Sequence, residues 1–296
     1  MDILKKIAII ILNYNSYEMT LNCLNNLKNL EKKLNVIIID NNSNDDSQKK
    51  FMNLEKDDNT FFLYNNENKG YAAGNNYGLK YISDNMKEID VAFIMNPDIE
   101  IKKIEYIYEL YKELISNEKL AAITPLTIYN GKFKMPNDCC WKFLNKTSVC
   151  LKGALIGKII KNDLNYNNLN LENNIAYVNV IQGCFFGIKM DIIKRINYLD
   201  ERTFLYCEEQ ILGRKIEEIG MKSAVCINSF IYHNHIEKDK SMKNKKNHIF
   251  HLKCLVDSRK IIIKYYLKLN KFQIFIRLLF LDFDYCIKKL LINIGL

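Results

Sequence analysis

Residues 91–100 read VAFIMNPDIE: five apolar residues that run into Asn96-Pro97-Asp98. A continuous apolar run of this length predicts a strand buried on both faces, as in parallel sheets. In an open α/β sheet, ligands bind beyond the C-terminal ends of the strands. Asp98 therefore stands where a carboxylate can hold a divalent cation, and the cation a diphosphate. The competing reading makes Asp98 an N-terminal residue of the helical pattern that follows.

The same rhythm extends to both sides. Ile7–Leu12, Val36–Ile39, Thr60–Tyr64 and Ala121–Ile128 are further strand-like runs. Between them, Leu21, Leu24, Leu27 and Leu30 recur at helical spacing, Ala72–Ile82 is helix-like, and Ile101, Ile104, Tyr108 and Tyr111 mark one helix face. Alternating strands and helices predict a doubly wound, mostly parallel α/β sheet with helices on both faces. From Tyr129 to Asn174 the periodicity fades around the single tryptophan, Trp141. Structure returns as a strand pair around Gly183, a short helix at Asp191–Ile196, a helix at Glu208–Ile219 stopped by Gly220, and a strand at Ser223–Tyr232. Residues from Ile249 onward are helical by pattern. The boundaries expected are a catalytic domain over 1–245, split near 128 into a nucleotide-sugar half and an acceptor half, and a helical extension over 246–296.

With 296 residues, 48% hydrophobic and 26% charged, the composition is globular. The net charge of +9 suits anionic lipid or phosphorylated substrates, and the spread of the lysines argues against nucleic acid. Nine cysteines stand at irregular spacing without a CxxC pair, which predicts buried thiols in a reducing cytosol. The strand-like run beginning at Ile7 leaves no room for a signal peptide, and no 18-residue apolar stretch predicts a spanning helix.

Four polar loops follow the first strands: Asn13-Tyr14-Asn15, Asp40-Asn41-Asn42-Ser43, the stretch Asn68–Asn76 with Lys69 and Gly70, and Asn96-Pro97-Asp98. A parallel sheet brings all four to one edge. Asp40 can accept hydrogen bonds from a base or ribose, or serve as an Asx-turn. Lys69 and Gly70 offer a cation and close backbone approach to phosphate, or a plain turn. Glu208 and Glu209 follow an aromatic run and open a helix. They are either first-turn acids favoured by the helix dipole or a general base against an apolar wall. His233 and His235 are either metal or phosphate contacts or an ordinary surface pair. The loop after the first strand lacks the Gly-rich sequences of nucleotidyltransferases and of GxGxxG dehydrogenases.

Together these segments resemble the inverting family 2 glycosyltransferases with the GT-A fold. The resemblance runs from Ile7 to about Ser241 through IAIIILNYNS, VIIIDNNSNDDS, NENKGYAAGNNYGL, FIMNPDIEI, QGCFFGIKMDII, LDERTFLYCEEQIL and YHNH. Members of rhamnosyltransferase-like, capsule and O-antigen type are the most similar. The resemblance implies a nucleotide-diphospho-sugar donor, Mg²⁺ or Mn²⁺, and a glycan or lipid-linked acceptor in cell-surface polysaccharide synthesis. It places Asp40, Asn13 and Asn15 at the nucleotide, and Lys69, Gly70 and Asn75 in the nucleotide-sugar loop. Asn96 stands where the family has the first acid of its Asp-x-Asp motif, which leaves Asp98 as the main metal ligand. His233 falls near a histidine that holds diphosphate and metal, with His235 as a second candidate. The family's Glu-Asp base motif reads Glu208-Glu209, with the base expected at Glu209 and Glu208 as fallback. A catalytically inactive sugar-binding or scaffold protein stays open because of Asn96 and Glu209. For the basic, apolar C-terminal helices, two readings stand: packing on the catalytic domain, or contact with the inner face of an anionic membrane.

Overall fold

The computed structural model describes residues 3–55, 57–133, 139–154, 164–166, 168–233 and 244–295. His235 lies outside them. The strands are β1 (Ile7–Asn13), β2 (Asn35–Asp40), β3 (Thr60–Tyr64), β4 (Val91–Met95), β5 (Ile99–Glu100), β6 (Leu120–Tyr129), β7 (Lys132–Phe133), β8 (Cys140–Trp141), β9 (Leu171–Glu172), β10 (Ile175–Val178), β11 (Val180–Ile181), β12 (Phe185–Lys189) and β13 (Lys222–His233). The helices are α1 (Tyr17–Leu30), α2 (Ser47–Met52), α3 (Tyr71–Asn85), α4 (Ile104–Ser116), α5 (Ser148–Leu151), α6 (Met190–Arg195), α7 (Glu208–Glu218), α8 (Lys245–Ile261) and α9 (Lys271–Ile294).

The central sheet runs β3-β2-β1-β4-β12-β6-β13-β10-β9. Its first four strands are parallel, with Asn13 level with Asp40 and Ile11 level with Met95. β12 enters antiparallel between β4 and β6, and β6 then pairs in parallel with β13. The sheet is therefore mixed, mostly parallel, with the candidate loops of the first four strands on one edge.

Why the strands are apolar throughout is visible in β1. Ile7, Ile9 and Ile11 point into a core with Leu24 and Leu27 of α1 and Leu110 and Leu114 of α4. Ala8 and Ile10 point the other way, into a core with Leu79 and Ile82 of α3. Successive side chains of a strand face opposite sides, so a sheet covered on both faces needs apolar residues at every position. A third cluster joins Leu144, Val149 and Ile211 to Ile262, Ile263 and Leu281, packing one face of the C-terminal helices onto the rest. A π-helical turn, Ile262–Tyr266, lies between α8 and α9. All nine cysteines are free, and Cys286 alone of them is exposed. Among the described residues, no helix is long and apolar enough to cross a membrane.

The stretch without periodicity is not wholly irregular. β8 pairs antiparallel with β11, setting Trp141 level with Val180. Two-residue strands leave no periodic trace in the sequence, and only the distant partner defines them.

Candidate active site

Asn13 and Asp40 end neighbouring strands and are almost wholly buried, at 0% and 1% exposure. The Asn13 amide donates to Asp40 Oδ1 at 2.8 Å, and Thr20 Oγ1 donates to Asn13 Oδ1 at 2.8 Å. Asp40 also accepts from the Ser43 hydroxyl at 2.6 Å and the Ser43 N–H at 3.0 Å. Asn15, in the left-handed region at φ 50°, accepts from Asn44 N–H at 2.7 Å. These residues clasp the first two loops together. The Asx-type closure expected as the alternative for Asp40 is thus present, built into a larger network.

The third loop docks elsewhere. Gly70 has φ 96°, and a Cβ there would lie 2.1 Å from the Phe204 carbonyl oxygen. Tyr71 N–H donates to the same oxygen at 2.9 Å. Only glycine fits this approach, so Gly70 joins the third loop to the segment that leads into α7. Lys69 pairs with Glu67 on the surface and lines a cleft with Asn41, Tyr77 and Lys80. Asn75 is fully buried on α3, with its amide donating to Tyr71 O at 3.0 Å.

The fourth loop reaches two places. Asn96 N–H donates to Cys184 O at 2.8 Å, which ties the end of β4 to the start of β12. Asp98 turns to the other side and meets the last residue of β13: Asp98 Oδ2 and His233 Nε2 are 3.2 Å apart, with both side chains under one-tenth exposed. The register explains the meeting, because His233 pairs with Ile99 on one side and Tyr129 on the other. The Tyr129 ring lies 5.0 Å from the His233 ring. A carboxylate oxygen and an imidazole nitrogen at this separation fit a Mg²⁺ or Mn²⁺ site with few protein ligands, whose remaining positions go to phosphate oxygens and water. Among the described residues, no cluster of three or more His, Cys, Asp or Glu side chains forms a self-sufficient metal cage.

Glu208 and Glu209 lie in a cavity of about 270 Å³ lined also by Asn96, Tyr129, Trp141 and Gln182. Two consecutive left-handed residues, Tyr206 at φ 75° and Cys207 at φ 65°, aim them there. Such conformations in non-glycine residues cost on the order of 1–3 kcal/mol each and persist only when packing enforces them. Here the C-terminal extension supplies that packing. Ser258 Oγ donates to Leu205 O at 2.9 Å, and Tyr206 OH bonds His251 Nδ1 at 2.9 Å.

Burial raises both carboxyls above the usual range. Desolvation, helped by the charge of Glu209, pushes Glu208 up to about 8. Desolvation raises Glu209 as well, against the opposing effect of the Glu209 and Gly183 backbone N–H groups. Tyr71 OH donates to Gly183 O at 2.7 Å, and burial beside the two glutamates pushes that phenol far up. Burial raises the Cys184 thiol most, and the charges of Asp98, Cys139 and Glu209 raise it further.

Of the residues expected from the sequence, the structure brings Asn96, Glu208 and Glu209 into one cavity, with Asp98 and His233 meeting next to it. Asn13, Asn15 and Asp40 form their own network at the neighbouring loops. Tyr71, Tyr129, Gln182 and Gly183 were not foreseen. Tyr71 and the Gln182-Gly183 pair sit inside the quoted segments, but nothing local distinguishes them from turn and core residues.

The fold is that of the GT-A glycosyltransferases. It is similar to GalNAc-T7, solved with UDP, GalNAc and Mn²⁺, at TM-score 0.55 and 14% identity over 78% of this chain and 43% of that one. It is also similar to the mannosyltransferase PcManGT from Pyrobaculum calidifontis, solved with GDP-Man and Mn²⁺, at TM-score 0.54 and 11% identity over 94% and 73%. Residues 8–152 match the family model described as Glycosyl transferase family 2. A curated relative, the low-salt glycan biosynthesis hexosyltransferase Agl10 of Haloferax volcanii, is 27% identical over 210 residues, 70% of this chain. The chain spans 60% of that relative's length.

Proposed function

We propose that the protein is a hexosyltransferase that moves a sugar from a nucleotide-diphospho-sugar to an acceptor hydroxyl with inversion at the anomeric carbon. The observation that carries this is the cavity holding Asn96, Tyr129 and two buried glutamates, with the Tyr129 ring 5.0 Å from His233 of the Asp98–His233 pair. A single displacement needs a base and a diphosphate-holding group near each other, and Tyr129, which lines the cavity with its ring 5.0 Å from that of His233, stands between the two.

In this reading the loops of Asn13, Asn15 and Asp40 shape the nucleotide end, with Lys69 beside it. Asp98 and His233 hold Mg²⁺ or Mn²⁺, which when bound neutralises charge on the departing diphosphate. Glu209 takes the acceptor proton. Burial raises both carboxyls of the pair, which suits proton abstraction, and the Glu209 carboxylate is the one that rests on Gly183. Attack from the face opposite the leaving group inverts the centre, by the geometry that separates inverting from retaining hydrolases. Trp141, on the cavity wall, offers an apolar platform to the acceptor, a glycan or a lipid-linked sugar of a cell-surface polysaccharide. The hexosyl assignment draws support from the Agl10 relative, and the rhamnosyltransferase-like subtype and the inverting course from the sequence resemblance.

The test is a screen of UDP-, GDP- and dTDP-hexoses with Mn²⁺, reading acceptor-dependent nucleotide release. Glu209→Gln is expected to keep donor binding and to lose roughly 10²–10⁴ in turnover. Wild-type turnover in that variant overturns the assignment of the base.

A further inference from the structure

α9 is apolar on both sides, yet only one side is packed. Leu281 is buried in the third core cluster, with Ile274 and Leu278 against it. The opposite side carries Phe272, Phe275, Leu279, Phe283, Leu290 and Ile294, each between 57% and 72% exposed. At helical periodicity these six fall within about 100° of arc and run roughly 33 Å along the axis. An apolar stripe that no described part of the chain covers calls for an apolar medium beyond it.

Charge indicates which medium. Residues 245–295 hold eleven Lys and Arg against three Asp and no Glu, a net +8 of the chain's +9. All three of those Asp are already paired, Asp257 with Lys253, Asp282 with Lys260 and Asp284 with Lys288. Exposed Lys264, Lys268 and Lys271 stand at one end of the stripe. Lys245 and exposed Lys289 stand at the other, where Lys245 Nζ donates to Asn293 O at 2.8 Å. A second copy of this chain brought onto the stripe would bring an equally basic segment with it. An anionic surface would not.

We propose that the exposed face of α9, bracketed by these lysines, docks in the plane of an anionic phospholipid bilayer. An apolar stripe and a basic rim are the two signals that together give stable interfacial binding. The inference stands apart from the proposed activity, since its test needs no substrate.

The test is flotation of the full chain with phosphatidylcholine vesicles, with and without about one-third phosphatidylglycerol, the anionic fraction on which the basic rim acts. The protein is expected to float with the anionic vesicles and to bind neutral ones roughly tenfold or more weakly, with added salt closing the gap. Combined Phe275→Glu, Leu279→Glu and Phe283→Glu should abolish flotation while the circular dichroism spectrum and Tm stay at wild type. A second variant, Lys264→Ser, Lys268→Ser and Lys271→Ser, leaves the apolar face intact and should lose the anionic preference. Failure of the wild type to float with anionic vesicles overturns the proposal. So does equal binding to both vesicle types, or a dimer by light scattering that the glutamate variant turns into monomer.

Discussion

The carboxylate of Glu209 rests directly on Gly183: a Cβ built at residue 183 would lie 2.4 Å from Glu209 Oε1 and 3.0 Å from Cδ. Burial raises this carboxyl, while the backbone N–H groups of Glu209 itself and of Gly183 hold it down. One residue without a side chain thus makes room for the proposed base.

Gly183→Ala should therefore push the Glu209 carboxylate out of place without touching the donor loops. Misplacement of a reacting group by about 1 Å can cost on the order of 10² in rate. The expected result is a fall of that order in kcat with donor Kd within about twofold, since uniform binding is unaffected. Steady-state kinetics with calorimetry on the same preparation would check it. An unchanged kcat would mean that Gly183 only fits the turn.

The Asp98–His233 pair predicts a metal-linked binding defect. His233→Ala leaves Asp98 in place but removes the imidazole 3.2 Å from it. Loss of one of few protein ligands should weaken Mn²⁺-dependent binding of a nucleotide sugar by roughly 10–100-fold. Binding measured with EDTA in place of Mn²⁺ should be weak in both proteins and nearly equal. If calorimetry shows the same Mn²⁺-dependent gain in both, the pair is structural.

Glu208 predicts a slope in stability against pH. Its carboxyl sits at about 8 in the fold, against 4.5 when unperturbed. Between those values the unfolded chain has released a proton that the folded chain still holds. Stability from this group is therefore complete below the unfolded value and drains away as pH rises toward the folded one. Glu208→Gln cannot ionise and should lose less Tm than the wild type between about pH 5 and about pH 9. Parallel Tm curves across that range would refute the burial of a titrating carboxyl at this position.

The strands of the first half were legible because their signal is local. Ile7–Asn13, Thr60–Tyr64 and Val91–Met95 lie within a residue of the runs read from the sequence. A strand covered on both faces must be apolar at each position, and that demand is written in consecutive letters. The helix carrying Glu208 and Glu209 was legible for the same reason. The nature of the loop before it was not. Nothing in Phe204–Cys207 announces two left-handed residues, since the Ser258 and His251 contacts that brace them come from some fifty residues downstream.

Sequence alone determined the alternation of strand and helix, the polar loops at one sheet edge, and the excess of positive charge toward the end of the chain. These follow from periodicity and composition, which neighbouring residues carry among themselves. Tertiary structure decided that Asp98 faces His233 while Asn96 faces the glutamates, that Glu209 lies on Gly183, and that Trp141 lines their cavity. It also decided which side of α9 is left in water. Each of these depends on contacts between residues tens to hundreds of positions apart, and the free energy that selects such contacts is set by packing of the whole chain.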